Sequence, residues 1–189
     1  MCDMLLSNKV NWLEIPEARY LKSTIDGESL YLLGGVFDDE TIKVFNKIKK
    51  ETPSKEVPNQ TERRSWDLPI DNPSEILSQI KELSGKKFTN VKASLWEDTP
   101  GYKINVHKDN EDVEGAMQIY LPDDEGLKET GTEFYMSNIN GDPAYEPYIR
   151  VPFVSNTGYF ITNAQTMWHG SGEVVPPGLV RSSVYYIFN

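Results

Sequence analysis

A mainly β fold, a jelly roll or barrel braced by helices that precede it, is what this sequence predicts. Three features carry the expectation. From Phe88 onward, short runs of β-branched and aromatic residues are separated by turns rich in Gly, Pro and Asp, the pattern of many short antiparallel strands. Ahead of them, two segments show helical apolar spacing with start and stop signals. The 189 residues suit a single domain with a proper core, divided into a helix-and-strand extension over 1–87 and a jelly-roll core over 88–189.

Residues 1–20 read as irregular or edge-like, with Val10 to Ile15 alternating as a short strand and Trp12 in the core. Tyr31-Leu32-Leu33 is a short apolar run before Gly34-Gly35. Asp38-Asp39-Glu40 opens a helix, because acids suit the positive N-terminal end of the helix dipole. Ile42, Phe45 and Ile48 form its apolar stripe, and Lys47, Lys49 and Lys50 suit its C-terminal end. Residues 51–61, polar and carrying Pro53 and Pro58, read as loop, and Arg63 to Leu68 as a strand with Trp66 packed.

Asn72-Pro73-Ser74-Glu75 starts a second helix: Asn as cap, Pro at the first helical position, Glu in the first turn. Ile76, Leu77, Ile80 and Leu83 mark its buried face, and Gly85 stops it. Strands are then expected at 88–96, 102–107, 115–121, 132–136, 148–154, 157–163 and 179–188. The polar loops 122–130 and 137–147 are simple connections or the rim of a pocket.

Composition narrows the function classes. Asp and Glu number 29 against 19 Lys and Arg, a net charge of −10, whereas nucleic-acid binding leaves a basic footprint. The short basic clusters, Lys47 with Lys49 and Lys50, and Arg63-Arg64, read as solvated faces. No run approaches a membrane span. Met1-Cys2-Asp3 opens without a secretory pattern, and Cys2 is the only cysteine, so the expectation is a cytoplasmic protein in a reducing compartment.

The chemistry concentrates in Val106-His107-Lys108-Asp109, His169 and Arg181. The chain has two histidines. On extended backbone, residues i and i+2 project to one side, so His107 and Asp109 emerge together. H-x-D is short, and a surface His–Asp pair arises often by chance. With His169 as third ligand, two imidazoles and one carboxylate on one face leave positions open opposite, which suits non-haem Fe(II) and oxygen chemistry. On the last strand Arg181 and Ser183 share a face. An inward Arg needs an anionic partner, and a dicarboxylic acid supplies one through paired charge-assisted bonds.

At this point the chain resembles the Fe(II)- and 2-oxoglutarate-dependent oxygenases. H-x-D, a distant His and R-x-S are that family's order. Pro100-Gly101 ahead of His107, Gln118-Ile119-Tyr120-Leu121, Gly131-Thr132-Glu133-Phe134, Gly158-Tyr159-Phe160 and Trp168-His169-Gly170 are similar to segments of its prolyl-hydroxylase-like branch. The resemblance covers residues 88–189 and implies a double-stranded β-helix of the jelly-roll, cupin-like kind. It departs in three places: Asp98 stands at the family tyrosine, Pro122 at the asparagine of the Y-L-N strand, and Arg181 where the branch often has lysine.

The resemblance implies Fe(II) on His107, Asp109 and His169, and 2-oxoglutarate with its distal carboxylate on Arg181, assisted by Ser183. It implies O2 as co-reactant, with ascorbate an optional addition. Tyr102, Gln118 or Trp96 would replace the missing tyrosine contact. Lys103 and Asn105 would share the face of His107, and Trp168 would wall the site or simply pack. A carboxylate at Asp109, where halogenating relatives have a small residue, favours hydroxylation or related C–H oxidation of a peptide residue such as proline or of a small molecule. The competing classes are a non-catalytic jelly-roll binding module and a cupin-like metal enzyme without 2-oxoglutarate; cupins generally use more histidines.

Overall fold

The structure, a computed structural model, describes residues 20–58, 60–121 and 124–189. The expected strand at Val10 to Ile15 lies outside them. Among the described residues, two sheets face one another as a double-stranded β-helix. The larger has eight strands, in the order β1 (Tyr20–Ile25), β2 (Glu28–Gly34), β9 (Thr157–Ile161), β6 (Gly115–Tyr120), β11 (Arg181–Phe188), β5 (Val91–Asp98), β4 (Gln60–Leu68) and β3 (Lys55–Val57), and the smaller three, in the order β10 (Trp168–Ser171), β7 (Thr132–Tyr135) and β8 (Ile149–Val151). All pairings are antiparallel.

The large sheet takes strands from both halves of the chain. β1 (Tyr20–Ile25) and β2 (Glu28–Gly34) form a hairpin at one edge, turned by Asp26 and Gly27, both at positive φ. β3 (Lys55–Val57) and β4 (Gln60–Leu68) form the other edge. β3 falls within residues 51–61, which the sequence reads as loop; Glu56 to Val57 is irregular in register, and three residues with flanking prolines give no period to detect. Between the edges lie β5 (Val91–Asp98), β6 (Gly115–Tyr120), β9 (Thr157–Ile161) and β11 (Arg181–Phe188).

Alternation along these strands divides the core in two. One face presents Tyr31, Leu33, Trp66, Leu68, Leu95, Met117, Ile119, Phe160, Val184, Tyr186 and Phe188 to the helices. α1 (Asp39–Glu51) starts where expected, with Asp38 Oδ1 accepting from Thr41 N at 2.7 Å. It buries Phe45 completely, and α2 (Pro73–Ser84) buries Ile76 and Ile80. Gly85 ends α2 at φ 74°, the left-handed cap that glycine adopts without a Cβ penalty. Asn72 holds the cap position without a side-chain bond to the backbone; its carbonyl accepts from Glu75 N at 3.2 Å and its Nδ2 donates to Glu75 Oε2 at 3.1 Å.

The opposite face, with Leu30, Ala116, Tyr120, Tyr159, Ile161 and Tyr185, looks across at β7 (Thr132–Tyr135), β8 (Ile149–Val151) and β10 (Trp168–Ser171). Gly158 lets β9 lie close to β6: a Cβ there would run into the Gln118 carbonyl oxygen.

Two expectations fail here, for one reason. The stretch 102–107 is not a regular strand, and β10 is a strand that the sequence reading omits. They pair with each other irregularly. His107 and His169 exchange both backbone bonds, while Ser171 N donates to Ile104 O at 3.1 Å. Asn105 and Val106 therefore oppose Gly170 alone, a bulge that breaks alternation. A Cβ on Gly170 would sit 3.1–3.2 Å from that backbone.

Replacing Phe45 by Ala removes the largest fully buried helix side chain in this interface. The expected cost is about 3–5 kcal/mol, measured by denaturant unfolding; a loss below about 1 kcal/mol would show that the helices do not brace the sheet.

Candidate metal centre and cavity

The bulge decides which side chains meet. With one extra residue between Ile104 and His107, both of these face the space between the sheets, while Lys103 and Asn105, expected beside His107, are exposed instead. His169 is placed by its register opposite Phe134 on β7. Asp109 is held after the bridge by its N–H, which donates to Ala164 O at 3.1 Å.

The three side chains expected to share an ion converge. Asp109 Oδ1 is 3.5 Å from His107 Nε2 and 3.8 Å from His169 Nε2, and one ligand atom of each lies within 4.8 Å of the others. Both imidazoles are oriented alike: His107 Nδ1 donates to Asn105 O at 2.9 Å and His169 Nδ1 to Met167 O at 3.0 Å. A carbonyl can only accept, so the proton sits on Nδ1 and each Nε2 lone pair is free. Tyr185 Oη donates to Asp109 Oδ2 at 3.2 Å. This fixed tautomer with a braced carboxylate is the support that metal ligands require, and the donor set of two nitrogens and one oxygen fits a divalent first-row metal.

The electrostatics divide the pair. In its protonated form His107 would donate from Nε2 to the Asp109 carboxylate, and this holds the imidazole above its ordinary value despite partial burial. Burial lowers that of His169, against the pull of Asp109. Burial also pushes Asp109 up, but His107, His169 and the Tyr185 hydroxyl outweigh it and leave the carboxyl low.

A cavity of about 350 Å³ joins this cluster to Arg181; Tyr102, Gln118, Trp96 and Ile104 also line it. Arg181, in register with Asp98, donates to its Oδ2 from Nε at 2.9 Å and Nη2 at 2.7 Å, and from Nη1 to Thr130 O. The buried Arg thus has an anionic partner within the chain. Ser183 shares the face of Arg181 but lies fully buried behind the cavity wall, accepting from Gln118 Nε2 at 2.9 Å. Tyr159 Oη in turn donates to Gln118 Oε1 at 3.1 Å.

Burial raises the Tyr102 hydroxyl to about 12; it stays a donor. Trp96 stacks on Tyr185 at 4.2 Å between centroids. Trp168 is outside the cavity lining: its Nε1 donates to Gly141 O at 3.0 Å, and Lys108 Nζ lies 4.5 Å from its ring. Glu133 and Tyr135 bond to each other on the face away from Thr132 and Phe134.

Sequence reasoning missed Arg63. Its sequence context places it with Arg64 on a solvated face, yet it is buried and lines the cavity. Strand alternation puts it opposite Trp66 and Leu68, a usable signal; that this face meets Asp98 has no local signature.

No family model matches the chain, and no curated protein does. Solved structures do. A prolyl-4-hydroxylase from Pseudomonas putida matches with a TM-score of 0.62 at 10% identity, over 85% of this chain and 91% of that one. A 2OG-Fe(II) oxygenase family oxidoreductase from Burkholderia pseudomallei gives 0.59 at 14%, over 85% and 84%. HygX from Streptomyces hygroscopicus, with nickel and 2-oxoglutarate bound, gives 0.58 at 12%, over 84% and 82%. The fold of this chain is the one found in 2-oxoglutarate- and Fe(II)-dependent oxygenases.

With two histidines in the chain, proton NMR of the metal-free protein is simple to read. One imidazole should titrate above the ordinary value of about 6.5 and the other below it. Because ligation needs neutral imidazole, divalent-metal affinity should fall as pH drops through the higher of the two. Identical titrations at the ordinary value would contradict the geometry.

Proposed function

We propose that this chain is an Fe(II)- and 2-oxoglutarate-dependent oxygenase that oxidises a C–H bond in a peptide residue or a small molecule. The observation that carries the reading is the single cavity with the His107–Asp109–His169 cluster in one part of its lining and Arg181 in another. His107 and His169 would hold the metal through Nε2, and Asp109 through its carboxylate. Bound Fe(II), with 2-oxoglutarate and O2, supplies oxidising power toward C–H bonds, the keto acid leaving as succinate and carbon dioxide.

The chain's own residues do the rest. Asn105 O and Met167 O hold the imidazole protons on Nδ1. The Tyr185 hydroxyl fixes the Asp109 carboxylate. Arg181 and the Tyr102 hydroxyl receive the distal carboxylate of the keto acid, and the Tyr159–Gln118–Ser183 chain of hydrogen bonds stiffens the wall between. Ile104, Val113 and Ile187 line the same space and keep water from the reacting atoms, where positioning and exclusion are the protein's contribution. Hygromycin B occupies one structural neighbour, HygX, which supports a small-molecule target as one of the two substrate classes.

Fe(II) and 2-oxoglutarate added without oxygen should give a weak visible metal-to-ligand absorption band. Arg181→Ala should weaken 2-oxoglutarate binding by about 2–4 kcal/mol. Intact protein that shows no band, or succinate release that never rises above background across broad substrate panels with ascorbate present, would favour a binding module instead.

A further inference from the structure

Asp98 stands between two guanidiniums. It is in register with Arg63 on β4 and with Arg181 on β11, so the three side chains form a row across neighbouring strands. Its Oδ1 accepts from Arg63 Nε at 2.6 Å, and its Oδ2 from Arg63 Nη2 at 3.1 Å as well as from Arg181. All three are buried, at 5%, 0% and 3% exposure. Guanidinium stays protonated in proteins, so one carboxylate faces two positive charges.

Arg63 and Arg181 both line the cavity, Asp98 lies behind them, and the one acidic side chain in the lining among the described residues, Asp109, faces the two imidazoles. Burying an uncompensated charge is expensive unless something pairs with it. Ring faces offset part of that: the Arg63 Cζ lies 3.9 Å from the Trp96 centroid and 4.3 Å from that of Tyr102.

The polar groups around the row are also incomplete. Tyr102 Oη and Gln60 Oε1 are buried without a hydrogen-bond partner, and both residues line the cavity. Buried polar groups are normally satisfied, and an amide can present its donor by flipping. Two cations and an orphan hydroxyl around one shared acid are a site that wants one more carboxylate.

We propose that Arg63 is a positioning and specificity-determining residue for the distal carboxylate of the keto acid. By sharing Asp98 with Arg181, it leaves this part of the cavity with one uncompensated positive charge, which selects a dicarboxylic keto acid over a monocarboxylic one. Without Arg63, Asp98 would neutralise Arg181 and the attraction would vanish. The inference rests on the functional reading above and assigns the selectivity to a charge balance rather than to Arg181 alone.

Calorimetric binding of 2-oxoglutarate and of 2-oxobutyrate, which lacks the distal carboxylate, to the Mn(II)-loaded full chain tests it. Wild type should prefer 2-oxoglutarate. Arg63→Met should weaken 2-oxoglutarate binding at least about tenfold, as for the loss of one charge-assisted hydrogen bond, and leave 2-oxobutyrate binding unchanged. Arg63→Met combined with Asp98→Asn, which restores one net positive charge, should recover most of the preference, and Arg63→Lys should retain it. Arg63→Gln gives the same comparison if Arg63→Met does not fold.

Unchanged preference in Arg63→Met, or no recovery in the double variant, overturns the inference while leaving the functional reading in place. Wild type that binds both keto acids alike also overturns it, since the distal carboxylate then lies elsewhere. Wild type that binds neither removes the functional reading and this inference together.

Discussion

The paired backbone hydrogen bonds between His107 and His169, at 2.8 and 2.9 Å, are the constraint on which the site depends. They join a segment that follows β5 to a strand that follows β9, and they set the imidazole centroids 4.5 Å apart. Side-chain attraction alone would not hold two imidazoles together. The backbone exchange does so at the cost of one bulge, and Gly170 is the residue that lets the bulged segment approach. Asp109 then arrives by chain continuity, with its own N–H tied to Ala164. The convergence is therefore a property of the backbone.

Around that point the cavity separates two kinds of electrostatics. Near the imidazoles, one low carboxyl balances groups whose protons are parked on Nδ1 against carbonyls. In the row of Arg63, Asp98 and Arg181, the balance is tipped toward positive charge. Between them lie uncharged hydrogen-bonding groups and apolar side chains, with Gln118 tied to Ser183 and Tyr159. Buried networks of this kind hold their geometry because every alternative leaves a polar group unsatisfied.

Much of this is legible in the sequence, and the failures share a cause. Helix α1 could be read because Asp38, Asp39 and Glu40 put acids at its start and Ile42, Phe45 and Ile48 repeat on one face. The strands expected at 88–96 and 179–188 correspond to β5 and β11, and they could be read from runs of β-branched and aromatic residues. Period failed where the chain leaves it: the bulge at Asn105 and Val106 hides a pairing partner, and the four residues of β10 are too short to show one. Asp98 could be recognised as a departure from the family tyrosine, and Arg181 as an inward charge needing an anion. That one answers the other, with Arg63 as third member, is a fact of strand register across β4, β5 and β11 that no local pattern encodes.

The central claim is that three side chains hold a divalent metal at one part of a cavity whose other part takes the far carboxylate of 2-oxoglutarate. A crystal grown with Mn(II) and 2-oxoglutarate tests it most directly, through the anomalous signal of the metal. The signal is expected between His107 Nε2, Asp109 and His169 Nε2, with the keto acid reaching toward Arg181. A metal peak away from these three side chains, or a keto acid bound outside the cavity, would contradict the account.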